Sequence, residues 1–319
     1  MEINMSIWIA VILFAVGLVF IVKGGDFFVD AASWIAEISG VPKFIVGATV
    51  VSIATTMPEM IVSIIAASKG SVDMAVGNAV GSVTANTGLI LGISLVFMAG
   101  SAKRKSYLLK SAMLIAAAAV LCLASPTGSL KIWGSIILLM IFVMFMAENI
   151  HSAVSERGSE KNGERPAHDR RTITVNILKF VFGAAGIIWG SDLMVDNATI
   201  IAKTLGVSEG VIAVTIVAVG TSLPELVTTL TSIAKKQASL SVGNIIGANI
   251  IDLTLIMPLC SVISGKELPI SRQGFMLDMP ACLIITLIAL IPMLLREKFT
   301  KLQGWLLLVI YAGYIIMVI

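Results

Sequence analysis

The sequence predicts an all-α integral membrane protein: ten transmembrane helices arranged as two inverted five-helix repeats, with broken helices at the midplane. Three observations carry this. Of 319 residues, 57% are hydrophobic and only 13% charged, about half the charge of an ordinary soluble chain, and mean hydropathy is +1.00. The apolar runs are continuous and reach the ~20 residues a helix needs to cross a bilayer, unlike the alternating pattern of a β-barrel. Finally, the chain repeats itself. Ala54-Thr55-Thr56-Met57-Pro58-Glu59 returns 166 positions later as Gly220-Thr221-Ser222-Leu223-Pro224-Glu225. In the same register Gly77-Asn78-Ala79-Val80-Gly81 meets Gly243-Asn244-Ile245-Ile246-Gly247, and Asn86 meets Asp252. Upstream, Gly24, Asp26, Val29 and Asp30 meet Gly190, Asp192, Val195 and Asp196.

The spans run in order. The first, 6–36, has no basic leader or cleavage site and reads as a retained helix rather than a signal peptide. Spans 43–68 and 73–99 carry the polar motifs, and 107–125 and 130–149 are plainer apolar helices. A second set lies at 173–202, 208–234, 239–263, 275–295 and 300–318. Five spans per half send the second half in from the opposite face, so two half-sites can meet near the midplane. Residues 1–149 are thus the first repeat, 150–172 a cytoplasmic linker and 173–319 the second repeat. The linker is polar and too short to fold alone, and His151 and His168 read as solvated loop residues. Sixteen Lys and Arg fall on one side and five on the other. The richer side is expected to be cytoplasmic, with both termini outside. Net charge of +3 comes from these loops and indicates orientation, not a nucleic-acid partner. Cys122, Cys260 and Cys282 lie in apolar runs without metal-ligand spacing and read as inert thiols.

The chemistry sits in the repeated segments. A proline inside a helix has no N–H and crowds the preceding turn, so Pro58 is expected to free the carbonyl of Ala54, and Pro224 that of Gly220. Unwound backbone survives in a membrane only where it lines a cavity or binds something. Beside each break stand a carboxylate, Glu59 or Glu225, and the hydroxyls of Thr55, Thr56, Thr221 and Ser222. That all-oxygen set suits hard cations such as Ca²⁺ or Na⁺. The next span adds Asn78, Ser82 and Asn86 at i, i+4 and i+8 on one helix face, repeated as Asn244, Ala248 and Asp252. The G-x-x-x-G pairs at 77/81 and 243/247 would let helices approach closely. Asn78 and Asn244 suit either an ion site or hydrogen bonds between helices. Asp26, Asp30, Asp192 and Asp196 read as interfacial or structural, with Lys23 snorkelling or pairing with Asp26. Glu59 and Glu225 are different, because their spans offer no basic partner and each unpaired charge costs several kcal/mol.

On these motifs the chain resembles the cation/calcium exchanger superfamily, most closely its prokaryotic sodium/calcium exchanger branch. The carriers are Thr55-Thr56-Met57-Pro58-Glu59 with Gly77-Asn78-Ala79-Val80-Gly81-Ser82, and Gly220 to Glu225 with Gly243-Asn244-Ile245-Ile246-Gly247-Ala248-Asn249. The resemblance implies a secondary antiporter that moves several Na⁺ inward for each Ca²⁺ expelled, by alternating access. Two long helices, spans one and six, would slide across a rigid core. It implies Ca²⁺ held by Glu59 and Glu225 with backbone oxygens of Thr55 and Thr221. Sodium would use Thr56, Ser222, Ser82 and carbonyls around Ser52 and Ala218, with Asn86 and Asp252 lining the centre. It implies no cofactor beyond the transported ions, no nucleic acid, a plasma (inner) membrane location and a monomer as a sufficient unit.

The chain departs from the family pattern where Ala248 lacks the hydroxyl of its mirror Ser82, and where Ala54 and Thr56 replace glycine and serine. Asp252 against Asn86 adds a third carboxylate. Ca²⁺/H⁺ exchange and K⁺-dependent Na⁺/Ca²⁺ exchange are the nearest alternatives, and a cation channel a more distant one. The spans hold no histidine and no nucleophile–base or H-E-x-x-H arrangement, so no enzyme is expected.

Overall fold

The computed structural model describes residues 2–100, 104–125, 128–157, 169–206, 220, 222–265 and 267–318. Ten helical rods succeed one another. They are α1 (Glu2–Ser39), α2 (Lys43–Ser68), α3 (Val72–Phe97), α4 (Arg104–Leu123) and α5 (Ile132–Arg157). After them come α6 (Arg170–Thr204), α7 (described over Leu223–Ala234), α8 (Ala238–Ser264), α9 (Gly274–Arg296) and α10 (Lys301–Val318). Eight are long and apolar enough to cross a membrane; α4 is shorter over its apolar part, and α7 is described only in part. Helices α3 and α8 are mostly enclosed, whereas α1, α6 and α10 bury only a strip. Trp8, Ile12, Val19 and Phe20 project from α1, as expected of side chains that face lipid.

Helix ends differ from the sequence expectation by a few residues. The larger difference lies at the linker, where α5 runs on to Arg157 and α6 begins at Arg170. Ser152 donates to Glu148 one turn back at 2.6 Å, supporting the extension of α5. Residues 158–168, with His168, lie outside the described residues, and His151 is exposed at the end of α5.

The interruption expected at Pro58 is displaced. The α-helix runs unbroken from Ser52 to Ser68 through Pro58, and the irregular part of α2 is an upstream π-turn at Gly47–Val51. One lost hydrogen bond is tolerable where neighbouring helices enclose the segment. Pro224 instead sits in the first turn of described α7, where the missing N–H has no helical partner to lose. Two further π-turns fall at equivalent places, Asn86–Leu91 in α3 and Asp252–Ile256 in α8.

The two halves are related by a pseudo-dyad that is visible in the packing of α1 on α6. A Cβ on Gly17 would lie 2.8 Å from the carbonyl oxygen of Gly190, and one on Gly24 would lie 2.8 Å from that of Gly183. Residues 17 and 183, and 24 and 190, are each 166 apart, so the seam is antiparallel and self-complementary. Only glycine permits backbone to lie on backbone in this way. On the other side of the core, α8 presses on α2, where a Cβ on Gly243 would run into the Phe44 carbonyl and one on Gly247 into that of Ala48. At Gly77 and Gly81 no described residue lies within 4 Å of such a Cβ, and the mirror of the Phe44–Ala48 segment falls in 207–219, outside the described residues.

Two polar clasps tie the outer helices. Lys110 of α4 is buried, pairs with Glu148 of α5 and lies 5.4 Å from the centre of the Phe44 ring. A two-residue ribbon pairs β1 (Ser129–Leu130) antiparallel with β2 (Leu268–Pro269). Beside it Lys131 donates to Glu267 at 2.7 Å and Ser129 at 3.0 Å, which holds the Glu267 carboxyl below the usual range. Gly183→Leu would force α1 and α6 apart; overpacking of this kind costs ~1–3 kcal/mol, read as an earlier thermal midpoint in detergent. Gly313→Leu, where a Cβ meets nothing within 4 Å, should leave the midpoint nearly unchanged.

Candidate cation site

Four helices meet at the centre. α2 brings Ser52, Thr55, Thr56 and Glu59; α7 brings Glu225, with Ser222 just before it; α3 brings Ser82 and Asn86; α8 brings Asp252. Each is exposed by 3% or less. Thr221 and Ala218 lie outside the described residues. Local structure explains the convergence. Ser52, Thr55, Glu59 and Ser63 recur at three to four residues and so share one face of α2. The π-turns begin at Asn86 and Asp252, equivalent positions in the repeat. A π-turn inserts one residue into the winding and redirects the rest of the helix, and such turns gather at functional sites.

The carboxyl groups of Glu59 and Glu225 are close neighbours, and Asp252 lies near enough to act on both. The Thr55 hydroxyl faces Glu225 and donates to Asn244 Oδ1 at 3.1 Å. Among the described residues, no cation forms an ion pair with these three acids. Among the described residues, none of their six carboxyl oxygens has a hydrogen-bond partner within ordinary geometry, and the same holds for Thr56 Oγ1, Ser82 Oγ, Ser222 Oγ and both side-chain polar atoms of Asn86. Most buried polar groups in folded proteins are paired. A concentration of unmatched oxygens at one point therefore marks a place built to hold something positive or wet. The donor set is mixed, since no three His, Cys, Asp or Glu among the described residues cluster as a metal centre on their own. Two carboxylates would need neutral oxygens from hydroxyls, amides and backbone to complete a shell, the chemistry of hard cations.

The mirrored asparagines, left open by the sequence, take different parts. Asn78 Nδ2 donates to the Glu59 carbonyl at 3.2 Å and to Ser63 Oγ at 2.9 Å, bracing α2 against α3 from behind the carboxylate. Asn244 accepts from Thr55, and its Nδ2 has no partner among the described residues. Asn249 of α8 donates to Thr87 of α3 at 2.8 Å, a link across the pseudo-dyad that the repeat motif did not single out. Sequence reasoning also missed Thr229, Ser232 and Ser241, fully buried hydroxyls on α7 and α8 that have no hydrogen-bond partner among the described residues. For the first two the signal was available in the spacing: Ser222, Glu225, Thr229 and Ser232 form one stripe at i, i+3, i+7 and i+10. Asp26 and Asp30 pair with Lys235 rather than with Lys23.

Known proteins share this architecture. The profile of the family described as sodium/calcium exchanger protein matches residues 9–150 and 175–319, one stretch in each half. The sodium/calcium exchanger MaX1 of Methanosarcina acetivorans is 29% identical over 347 residues, covering 96% of this chain and 97% of its own. The inner membrane protein YrbG of Escherichia coli is 32% identical over 286 residues, covering 88% of this chain and 87% of its own. Among solved structures, the sodium-calcium exchanger NCX_Mj soaked with 10 mM Na⁺ and zero Ca²⁺ superimposes with a TM-score of 0.80 at 28% identity, over 97% of this chain and 98% of that one. With matching profile, fold and duplicated acidic centre, the chain belongs to the sodium/calcium exchanger protein family: it is a membrane cation exchanger and not an enzyme.

Proposed function

We propose that the protein exchanges Na⁺ for Ca²⁺ across a plasma (inner) membrane by alternating access, with both termini outside. The observation that carries this reading is the pairing of Glu59 with Glu225, buried from opposite halves without a counter-charge among the described residues. Ca²⁺ binds the two glutamates with backbone oxygens of Thr55 and Thr221. Sodium binds flanking positions made by Thr56, Ser222, Ser82 and carbonyls around Ser52 and Ala218, while Asn86 and Asp252 line the middle. One Ca²⁺ neutralises two carboxylates, and so do two Na⁺, so the cavity holds either load but not both. A site stripped of cations carries its charges into a low-dielectric barrier, which resists the crossing; a filled site does not. Exchange results from that difference. Any net charge carried per cycle couples to the membrane potential at ~2.3 kcal/mol per 100 mV.

A second reading, K⁺ co-transport on the same fold, draws on Asp252, a third acid at the centre where its mirror is the neutral Asn86. Proton-coupled Ca²⁺ exchange is the other rival for the same glutamates.

Proteoliposomes loaded with Na⁺ should take up tracer calcium at clamped pH without K⁺. Uptake that requires only a pH gradient, or that appears only when K⁺ is added, selects one of the rivals. Glu59→Gln or Glu225→Gln should reduce sodium-driven uptake more than ~100-fold, since the loss of one buried charge partner of a cation costs ~3–5 kcal/mol. Packing is nearly conserved, so the variants should remain monodisperse; normal flux through either would remove it from the shell. Ala248→Ser, which restores the hydroxyl of the mirror Ser82, should lower the sodium concentration for half-maximal exchange. An unchanged value would show that another oxygen already serves there.

A further inference from the structure

The helices α2 and α7 end in the same turn, one at each membrane face. Lys69 and Lys235 donate their N–H to Ile65 and Thr231 at 3.1 and 2.9 Å. The next residue in each is left-handed, Gly70 at φ 80° and Lys236 at φ 57°. The residue after that closes onto Ala66 or Ser232 at 2.9 and 2.7 Å. These positions are 166 apart, as are Asp26 and Asp192, and Asp30 and Asp196. Two equivalent lysines therefore stand at the ends of two equivalent hairpins, each with an equivalent aspartate pair on a long helix.

Their contacts are not equivalent. Lys235 Nζ lies 2.7 Å from Asp30 Oδ1 and 3.3 Å from Asp26 Oδ1, and it donates to the Asp26 carbonyl at 3.0 Å. Lys69 forms no ion pair with Asp192 or Asp196 among the described residues, and all three are exposed. The backbones of the two turns agree, so the difference does not arise locally. It goes with the long helices, since α1 packs more extensively on α7 than α6 does on α2. Those helices are held to one another by the glycine seam, in which any slip would drive a side chain into backbone. Any displacement of one along the core would therefore carry the other with it.

We propose that Lys235 with Asp26 and Asp30, and Lys69 with Asp192 and Asp196, are two latches at opposite faces of the α1–α6 pair, closed one at a time. This rests on the alternating-access reading and specifies what holds each end state. Solvent-exposed ion pairs are individually weak, which fits a device that biases a cycling protein without trapping it. Asp26 and Asp30 give Lys235 two carboxylates and a carbonyl at once, so release involves the movement of α1 rather than of one side chain.

The experiment uses the full chain in proteoliposomes with two cysteine pairs, Asp26→Cys with Lys235→Cys and Asp192→Cys with Lys69→Cys, joined by a short bifunctional maleimide. The native Cys122, Cys260 and Cys282 are replaced by alanine, and exchange is measured before cross-linking to show that each variant is folded. Each cross-link alone should stop exchange, and in the four-cysteine protein a molecule carrying one should refuse the other. Lys235→Met should favour access from the Lys235 face by about 2- to 5-fold, as expected for the loss of an exposed pair, and Lys69→Met should act in the opposite sense. Both cross-links in one molecule, or full exchange with the first in place, would overturn the proposal. Failure of the exchange reading looks different: the uncross-linked protein would move neither ion, while mutual exclusion of the cross-links could still be scored.

Discussion

Two acidic groups brought together in a low-dielectric interior, with no basic partner among the described residues, impose the constraint that organises this molecule. Their repulsion and lost hydration cost several kcal/mol each unless something positive lies between them. Everything around Glu59 and Glu225 is arranged to tolerate that demand without removing it. The one buried lysine among the described residues, Lys110, is committed to Glu148 at the edge of the bundle. Asn78 secures the backbone of Glu59 rather than its carboxylate. The hydroxyls of Thr56, Ser82 and Ser222 and the amide of Asn86 find no partner among the described residues. The protein thus supplies anions, dipoles and rigidity, and leaves the positive charge to be delivered from outside.

The irregular turns serve the same end. A regular helix satisfies its own carbonyls and has none to offer. By opening π-turns at Asn86 and Asp252, α3 and α8 change winding where they pass the acidic pair. Placing one in each half keeps the two sides of the centre comparable. Close packing of α8 on α2 through Gly243 and Gly247 then fixes the distance across which the halves face one another.

Much of this was legible in the sequence because repetition converts weak signals into a strong one. A lone Pro-Glu pair in an apolar run is ambiguous; two pairs in register, with Asn86 and Asp252 recurring at the same offset, are not. The number of spans came from the apolar runs, the inverted order from five spans per half, and the expectation that Glu59 and Glu225 face one another from that register; Ser52 entered only through the family resemblance. The features that escaped it depended on distance rather than pattern. Pro58 reads as a break, yet the helix continues and the winding changes at Gly47–Val51, since enclosure by neighbours decides whether a lost bond matters. Asp26 has a nearby Lys23 in sequence and a distant Lys235 in space, and only the fold chooses between them. The buried pairing of Lys110 with Glu148 was hidden for the same reason: each looked like one more loop-side charge.

The duplication is old enough to have drifted, and the drift has a kinetic meaning. Ser82 stands opposite Ala248, while Ser232 and Ser241 stand opposite Ala66 and Ala75. Inverting the molecule in the bilayer would therefore not regenerate it: each half sets buried hydroxyls at places where the other has alanine. Equilibrium is blind to this, because detailed balance ties the end point to the gradients alone. The tempo is not blind, and a carrier whose halves differ in this way need not run at the same speed in both directions.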